Sequence, residues 1–309
     1  MLATKLIELR ISIKYPMDLS VVIVSWNTCG LLRKCLNTLK AELDSFGDSL
    51  QWEVFLVDNN SADGSADMAR NEHPWVKLTA NSDNLGFAKA NNQAFKLATG
   101  KLVLLLNPDT EVQPGAIATL IEFMDSHPNA AIVAPQLLNT DGSVQRSCRE
   151  FPTFIGMVYE LVGLSKMFPE NKTFGRYKML DWNHDDIRKV DQPEGACLLV
   201  RRQVMDKVGL LDEGFFMLFE EVDWCYRIIQ AGYEIWFTPV AKVIHHYGQS
   251  IKQVKVRMIL SSHRGLYRFW HKHYQKGRWY LDPFAYLGLM SLAYVRIFAY
   301  SLKSMLSKA

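Results

Sequence analysis

The run Leu102-Val103-Leu104-Leu105-Leu106, followed by Asn107-Pro108-Asp109, constrains this chain more than any other stretch. Five consecutive apolar residues read as a buried strand. Asn-Pro-Asp stops that strand and leaves a carboxylate at its C-terminal tip. In open α/β sheets, ligands sit outside the carboxyl ends of the strands. An aspartate there suits a hard divalent cation, Mg²⁺ or Mn²⁺, and such a cation suits a diphosphate. A plainer reading has Asp109 begin a turn and cap the helix after Pro114.

The rest of the chain repeats the pattern. Leu19-Ser-Val-Val-Ile-Val-Ser25 is a short β-branched strand broken by Trp26-Asn27-Thr28. Leu31, Leu32, Cys35, Leu36 and Leu39 then recur at helical spacing. A second strand, 52–57, ends in Asp58-Asn59-Asn60-Ser61, and Asp63-Gly64-Ser65 starts a helix. A third strand covers 75–79. Asn84-Leu85-Gly86-Phe87 opens a helix that Gly100 ends. Pro114 falls near the first turn of a helix running to Ser126, and 130–134 is a fifth strand. Strands alternating with helices give βαβ units and a mostly parallel sheet. Three Asn/Asp clusters at one edge of that sheet point to a binding crevice.

The pattern weakens between about 140 and 185. Asp141-Gly142 is a turn, 146–152 is irregular, 157–167 is a short helix, and 171–187 is a loop over a site. Regularity returns with a strand at 195–200 and a short helix after Arg201-Arg202. A helix begins at Glu220-Glu221-Val222-Asp223 and ends at Gly232. Two strand-like stretches, 233–238 and 241–246, flank Pro239.

With 309 residues and 49% of them hydrophobic, the chain can bury a large core. Five cysteines, with no Cys-x-x-Cys pair, fit buried thiols in a reducing compartment and argue against a disulfide framework or a zinc site. Residues 1–16 lack a signal-peptide pattern and read as an N-terminal arm, either added to the domain or a start-site extension. The net charge of +3 is unevenly spread: residues 235–309 carry 12 Lys/Arg and one acid, Asp282. Residues 251–280 are a basic, aromatic-rich helix candidate. Residues 283–302 are largely apolar but contain Arg296, which is costly inside a bilayer. A helix lying flat on an anionic membrane surface fits this tail better than a span. The alternative is a face packed on the domain or in a homodimer. No nucleic-acid partner is expected.

Glu220, Glu221 and Asp223 place three carboxylates at a helix start, preceded by the apolar residues 215–219. Acids are favoured there by the helix dipole. Apolar walls and like charges also raise carboxylate pKa values, as a general base needs. His245 and His246 end a strand and point to opposite faces, so one of them reaches a site at that edge. There is no Gly-x-x-x-x-Gly-Lys-Ser/Thr loop and no Gly-x-Gly-x-x-Gly after the first strand, which argues against a P-loop nucleotidase and a dinucleotide oxidoreductase.

Taken in order, these motifs resemble family 2 glycosyltransferases of the GT-A fold, especially the rhamnosyltransferase-like branch of bacterial surface polysaccharide synthesis. The resemblance runs from residue 19 to 250. It rests on Ser25-Trp-Asn27, Asp58-Asn-Asn60-Ser61-x-Asp63-Gly64, Asn84-x-Gly86-Phe87-Ala88-x-x-Asn91, Asn107-Pro108-Asp109, Gly195-Ala196, Glu220-Glu221-Val-Asp223 and His245-x-x-Gly248-x-Ser250. It implies an α/β nucleotide-diphospho-sugar transferase fold with a mostly parallel central sheet flanked by helices and a C-terminal helical extension. The catalytic domain would cover 17–250, with a nucleotide-binding half at 17–135, an acceptor-binding half at 136–250, and the tail at 251–309.

The resemblance also implies an inverting transfer from a nucleotide sugar, best matched by dTDP-rhamnose, to a lipid-linked or oligosaccharide acceptor. Ser25, Asn27 and Asp58 would hold base and ribose, with Asn60, Asp63, Asn84, Gly86, Asn91 and Asn107 completing the nucleotide-sugar site. Asp109 and His245 would bind Mg²⁺ or Mn²⁺. The second acid of the pair, Glu221, lands on the general base, with Glu220 as the other candidate, because the branch carries Asp where this chain has Glu. Gly195, Ala196 and Asp223 would line the acceptor side. Transfer of galactofuranose, glucose or N-acetylglucosamine, and a non-catalytic sugar-nucleotide or glycan-binding module, are the rival readings. The expected place is cytoplasmic, peripheral on the inner face of a bacterial membrane.

Overall fold

The computed structural model describes residues 15–161, 163–168, 171–247, 254–275, 277, 280 and 282–306. All but the last two residues of the 1–16 arm, and the Gly248 and Ser250 positions of the His245 motif, lie outside them.

Among the described residues the strands are β1 (Met17–Ser25), β2 (Trp52–Asp58), β3 (Lys77–Ala80), β4 (Gly100–Leu106), β5 (Thr110–Val112), β6 (Ala130–Leu138), β7 (Val144–Gln145), β8 (Cys148–Arg149), β9 (Arg188–Lys189), β10 (Gln192–Pro193), β11 (Cys197–Arg201) and β12 (Glu234–His245). The main sheet has the order β3-β2-β1-β4-β11-β6-β12-β5, with β7 on β6 and β9 on β12. β8 and β10 form a separate two-stranded ribbon. β3, β2, β1 and β4 are mutually parallel, as expected. β11 lies antiparallel between β4 and β6, and β12 runs parallel to β6, so the sheet as a whole is mixed.

The opening strand shows why a continuous apolar run was needed. Leu102, Leu104 and Leu106 face one core, and Val103 and Leu105 face the other. Alternate residues of a strand point to opposite faces, so burial on both faces makes every position apolar. The first core is covered by α1 (Cys29–Asp44), through Leu32, Leu36, Leu39 and Leu43, and by α4 (Ala116–Ser126), through Ile117 and Leu120. The second is covered by α3 (Phe87–Leu97), where Ala88, Ala90 and Ala94 bring the helix close, and by Trp224 and Ile228 of α8 (Glu220–Gln230). α2 (Ser65–Glu72), the short helices α5 (Phe154–Leu161) and α6 (Leu164–Met167), and α7 (Arg202–Val208) complete this domain.

Several boundaries differ from the sequence expectation, each for a physical reason. Gly100 opens β4 instead of ending α3, whose last turn closes at Ala98. A Cβ there would stand 2.5 Å from the Ser20 nitrogen, so the residue marks a close approach of two backbones. Pro114 lies outside α4, whose N-cap is Gly115 at φ 78°. Buried Glu42 caps α4 from a distance, accepting from the Gly115 and Ile117 N–H groups at 2.8 and 3.0 Å. The helix at 157–167 is split by Gly163. The stretches around Pro239 are one strand, β12, with a register shift between Thr238 and Lys242 that absorbs the proline. The 171–187 loop is anchored by buried Trp182 and His184.

The C-terminal region forms two helices, α9 (Lys255–His273) and α10 (Asp282–Leu306). α10 is long and apolar enough to cross a membrane by length and composition, with mean hydropathy 1.3, and its side chains are little buried. Phe284, Leu287, Tyr294, Val295 and Phe298 are all more than 60% exposed. α9 is no detached tail: one of its faces packs on the segment before α8.

Candidate active site

The parallel strands β1, β2 and β4 end at one edge, with Ser25 opposite Asp58 and Ile23 opposite Leu106 in the register. The three polar clusters therefore meet there. A cleft of about 340 Å³ opens at this edge. Asn84, Gly86, Asn107, Asp109, Gly195, Glu220, Glu221 and His245 all line it.

Asp109 lies just beyond β4 and is 7% exposed. It does not cap α4, because β5 intervenes. β5 pairs antiparallel with β12, setting Thr110 opposite His245. That register brings His245 Nε2 to 3.4 Å from Asp109 Oδ1. The His246 N–H donates to the Asp109 carbonyl at 2.8 Å, while its own ring turns to Glu111, so one histidine of the two reaches the site. Burial lowers the His245 pKa, but the hydrogen bond and charge of Asp109 outweigh it, and the net shift is upward.

The cation implied by the family fits this pair. His245 Nδ1 donates to Gln145 Oε1 at 2.7 Å, while the Gln145 amide nitrogen donates to Asn139. That arrangement fixes the ring and leaves Nε2 for a ligand. Among the described residues no cluster of three or more His, Cys, Asp or Glu would hold a metal. One carboxylate and one imidazole, completed by phosphate oxygens and water, suit a cation that arrives with a diphosphate.

Across the cleft, Glu220 and Glu221 begin α8. Each has an Oε2 that is buried without a hydrogen-bond partner among the described residues. Burial raises the pKa of both, and for Glu220 the neighbouring Glu221 charge raises it further. Glu221 faces Gly195, where an added Cβ would touch its Cβ at 3.5 Å. The preceding backbone is strained: Leu218 and Phe219 have φ of 72° and 77°. Bulky residues in this conformation cost about 1–3 kcal/mol each and cluster at functional sites. α9 braces the strained segment, with Ser261 Oγ donating to the Met217 carbonyl at 2.7 Å and Gly265 packed against Leu218 and Phe219.

The nucleotide-side loops are cross-linked internally. Asn27, at φ 51°, accepts from the Ala62 N–H through its Oδ1, and its N–H donates to Ser61 Oγ. Asp63 accepts from the Cys29 N–H at 2.7 Å and from Ser65. Ser25 is buried against Thr28. Asp58 accepts from the Ser61 N–H, and its other oxygen, Oδ1, is buried without a partner among the described residues. Asn60, at φ 66°, is exposed at the turn. Asn91 is fully buried and donates to the Phe87 carbonyl, so it supports the floor instead of facing the cleft. Ala196 is also buried, with its carbonyl accepting from the Asn107 N–H.

Asp223 corrects its expected place on the acceptor side. It is fully buried and turned away, accepting from Arg227 on one oxygen and from Lys272 and His273 on the other. These neighbours hold its carboxyl below the usual range against the opposing effect of burial. The sequence pattern of one acid in the first helical turn gives no sign of which face it takes.

Glu194 and Arg149 escaped the sequence reading, and Asn59 entered it only as a member of its cluster. Asn59 is buried, donating to Asn84 Oδ1 and the Gly86 carbonyl and accepting from Leu85 N–H and Asn81. Its signal was alternation past β2, which turns Asn59 inward and Asn60 outward. Glu194 and Arg149 line the cleft beside Gly195 and Glu221. Burial raises the Glu194 pKa, countered by His245 and Arg149. An acid directly before Gly195-Ala196 was the available sign. All five cysteines are free thiols, and burial pushes Cys35 and Cys148 up to about 12.

The sequence model of glycosyl transferase family 2 matches residues 20–209. The chain belongs to glycosyl transferase family 2. Its relatives include the N-acetylglucosaminyl-diphospho-decaprenol L-rhamnosyltransferase of Mycobacterium tuberculosis, 31% identical over 229 residues, which are 70% of this chain and 73% of that protein. Rhamnosyltransferase WbbL of Escherichia coli is 25% identical over 170 residues, covering 52% of this chain and 61% of WbbL. Among solved structures, a mannosyltransferase from Pyrobaculum calidifontis with GDP-Man and Mn²⁺ superposes with TM-score 0.56 at 15% identity, covering 97% of this chain and 87% of that one. GalNAc-T7 with UDP, GalNAc and Mn²⁺ gives TM-score 0.53 at 18% identity, over 74% and 44%. The fold of this glycosyltransferase is GT-A with a C-terminal helical extension.

Proposed function

We propose that this glycosyltransferase moves L-rhamnose from dTDP-rhamnose onto a hydroxyl of a lipid-linked oligosaccharide in cell-surface polysaccharide synthesis, with inversion at the anomeric carbon. The observation that carries this reading is the unpartnered Glu220–Glu221 pair facing the Asp109–His245 pair across one cleft. The rhamnosyltransferases among the relatives favour rhamnose.

Asp109 and His245 would hold Mg²⁺ or Mn²⁺ on the donor diphosphate, where the cation neutralises charge on the departing nucleoside diphosphate. Glu221 takes the proton of the acceptor hydroxyl as that oxygen bonds to the anomeric carbon. The bond from that carbon to the donor phosphate oxygen breaks on the opposite face. A base with a raised pKa binds that proton well, provided that it is ionised when the acceptor arrives. Its place against Gly195, the expected acceptor-side residue, supports Glu221 over Glu220 as that base. Asn59, Asn84 and Gly86 keep the nucleotide-side loop in one shape, and Asp58 Oδ1 offers an acceptor to the nucleoside.

The catalytic domain covers 17–250, divided near 135 into nucleotide and acceptor halves. The basic, apolar 251–309 region rests on an anionic membrane at the cytoplasmic face, with the exposed side of α10 toward the lipid. The deciding experiment is a screen of purified protein against nucleotide sugars, reading nucleoside diphosphate release with a polyprenyl-diphosphate sugar acceptor. dTDP-rhamnose is expected to turn over fastest; preference for a different sugar overturns the donor assignment, and no turnover with any donor overturns the enzyme reading.

A further inference from the structure

We infer that Arg257, on the first turn of α9, is a diphosphate-binding residue of the cleft. The inference rests on the transferase reading for the identity of the ligand, and on the following geometry for the residue.

One face of α9, carrying Val254, Arg257, Met258 and Ser262 at helical spacing, lines the cleft directly. Among the described residues, the acids on the cleft wall are Asp109, Glu194, Glu220 and Glu221, and the arginines are Arg149 and Arg257. A diphosphate entering such a cleft meets four carboxylates, so it needs fixed positive charge. Arg149 stands on the wall of Glu194 and Glu221, where its charge only partly offsets the upward effect of burial on both carboxyls. Arg257 makes no hydrogen bond or ion pair with any described residue. Its guanidinium lies over the Phe216 ring, 4.2 Å from the centroid.

A guanidinium resting on an aromatic ring, with its N–H groups unused by any described residue, is free to recognise phosphate in two-point contact. Phe216 is itself fastened to the nucleotide-side loop, since its carbonyl accepts from the Phe87 N–H at 2.7 Å and its ring packs over Gly86. Arg257 is thereby held beside the loop that Asn59 and Asn84 shape. A purely structural role is a poor account of the residue. A cation in the first turn of a helix opposes the helix dipole, which is relieved when an anion binds there.

The shared chemistry is a diphosphate, and it has two sources: the nucleotide donor and the lipid-linked acceptor. The test uses Arg257→Met, which keeps the alkyl stack on Phe216 without charge, and Arg257→Lys. Calorimetry measures inorganic pyrophosphate, dTDP and a short prenyl diphosphate, each with Mn²⁺, at two salt concentrations. Arg257→Met is expected to weaken pyrophosphate by roughly tenfold or more, with a flatter salt dependence, and Arg257→Lys to recover part of the loss. A matching loss for dTDP assigns the donor, and a loss for prenyl diphosphate alone assigns the acceptor. Affinities within twofold of wild type for all three probes overturn the inference. Because these are binding measurements, they stand apart from turnover: a wild-type protein without donor turnover removes the transferase reading and leaves this result in place.

Discussion

On the side of the cleft built by the first three strands, Asn59 spends its whole amide on Asn81, Asn84, Leu85 and Gly86. On the opposite side, Glu220 and Glu221 each keep a buried oxygen without a partner among the described residues. The first side is largely a scaffold in which Asn27, Asn59, Asp63 and Asn84 satisfy neighbouring loop groups and fix a shape, with Asp58 Oδ1 and Asn107 Oδ1 left over at its rim. The second stores polar capacity that the fold itself does not use. Buried polar groups are normally paired, so those left over mark where a ligand or a proton completes the set. The comparison teaches that burial alone does not separate a structural polar residue from a reactive one; the state of its hydrogen bonds does.

That contrast can be broken most sharply at Glu221. Glu221→Gln is expected to reduce turnover by roughly 10²- to 10⁴-fold while dTDP affinity stays within about twofold; retained turnover makes Glu220 the base or removes base catalysis from this helix. Next comes Asp109→Asn, with a loss of roughly 10²-fold in turnover and a matching drop in Mn²⁺ affinity in the presence of dTDP. Turnover of the native protein unaffected by EDTA rules out the cation role.

On the scaffold side the effects move from rate to stability. Gly86→Ala forces a side chain onto φ 82° and into Phe216, whose Cδ2 stands 2.8 Å from the added carbon. A cost of about 1–3 kcal/mol is expected, read as a lower Tm together with weaker dTDP binding. An unchanged Tm refutes the lock between Gly86 and Phe216.

The smallest effect has the opposite sign. A buried carboxyl whose folded pKa lies above its ordinary value of 4.5 contributes stability below that value and loses it as pH rises through the folded pKa. Glu220→Gln removes a charge that is costly at neutral pH. Its Tm is expected to exceed wild type by a few degrees at pH 7 and to match it near pH 4. Equal Tm values at both would mean that Glu220 is satisfied.

Much of the sheet and its ligand edge was legible. Apolar runs as long as Leu102 to Leu106 have to be buried on both faces, and the Asn/Asp clusters mark strand ends whatever the tertiary detail. His245 was legible for the same reason, because it ends a strand. Strand direction was not: β11 inserts antiparallel beside β4, and a short apolar run carries no sign of its polarity. The role of α9 as a cleft wall was also hidden, since its amphipathic pattern fixes a buried face but not what that face covers. Asp223 was misplaced because its partners, Lys272 and His273, lie fifty residues away in another helix. Nothing in Leu218-Phe219 announces a left-handed backbone, which both side chains disfavour.

That left-handed pair has a consequence for anyone evolving this protein toward heat resistance. Glycine or asparagine at either position relieves conformational cost, so a library sorted only by survival at high temperature should enrich changes at 218 and 219. The same changes loosen the hinge that aims Glu220 and Glu221 into the cleft. Stability selection without an activity sort would therefore harvest well-folded, silent enzymes, and the enrichment map would point to the working end of the molecule by what it destroys.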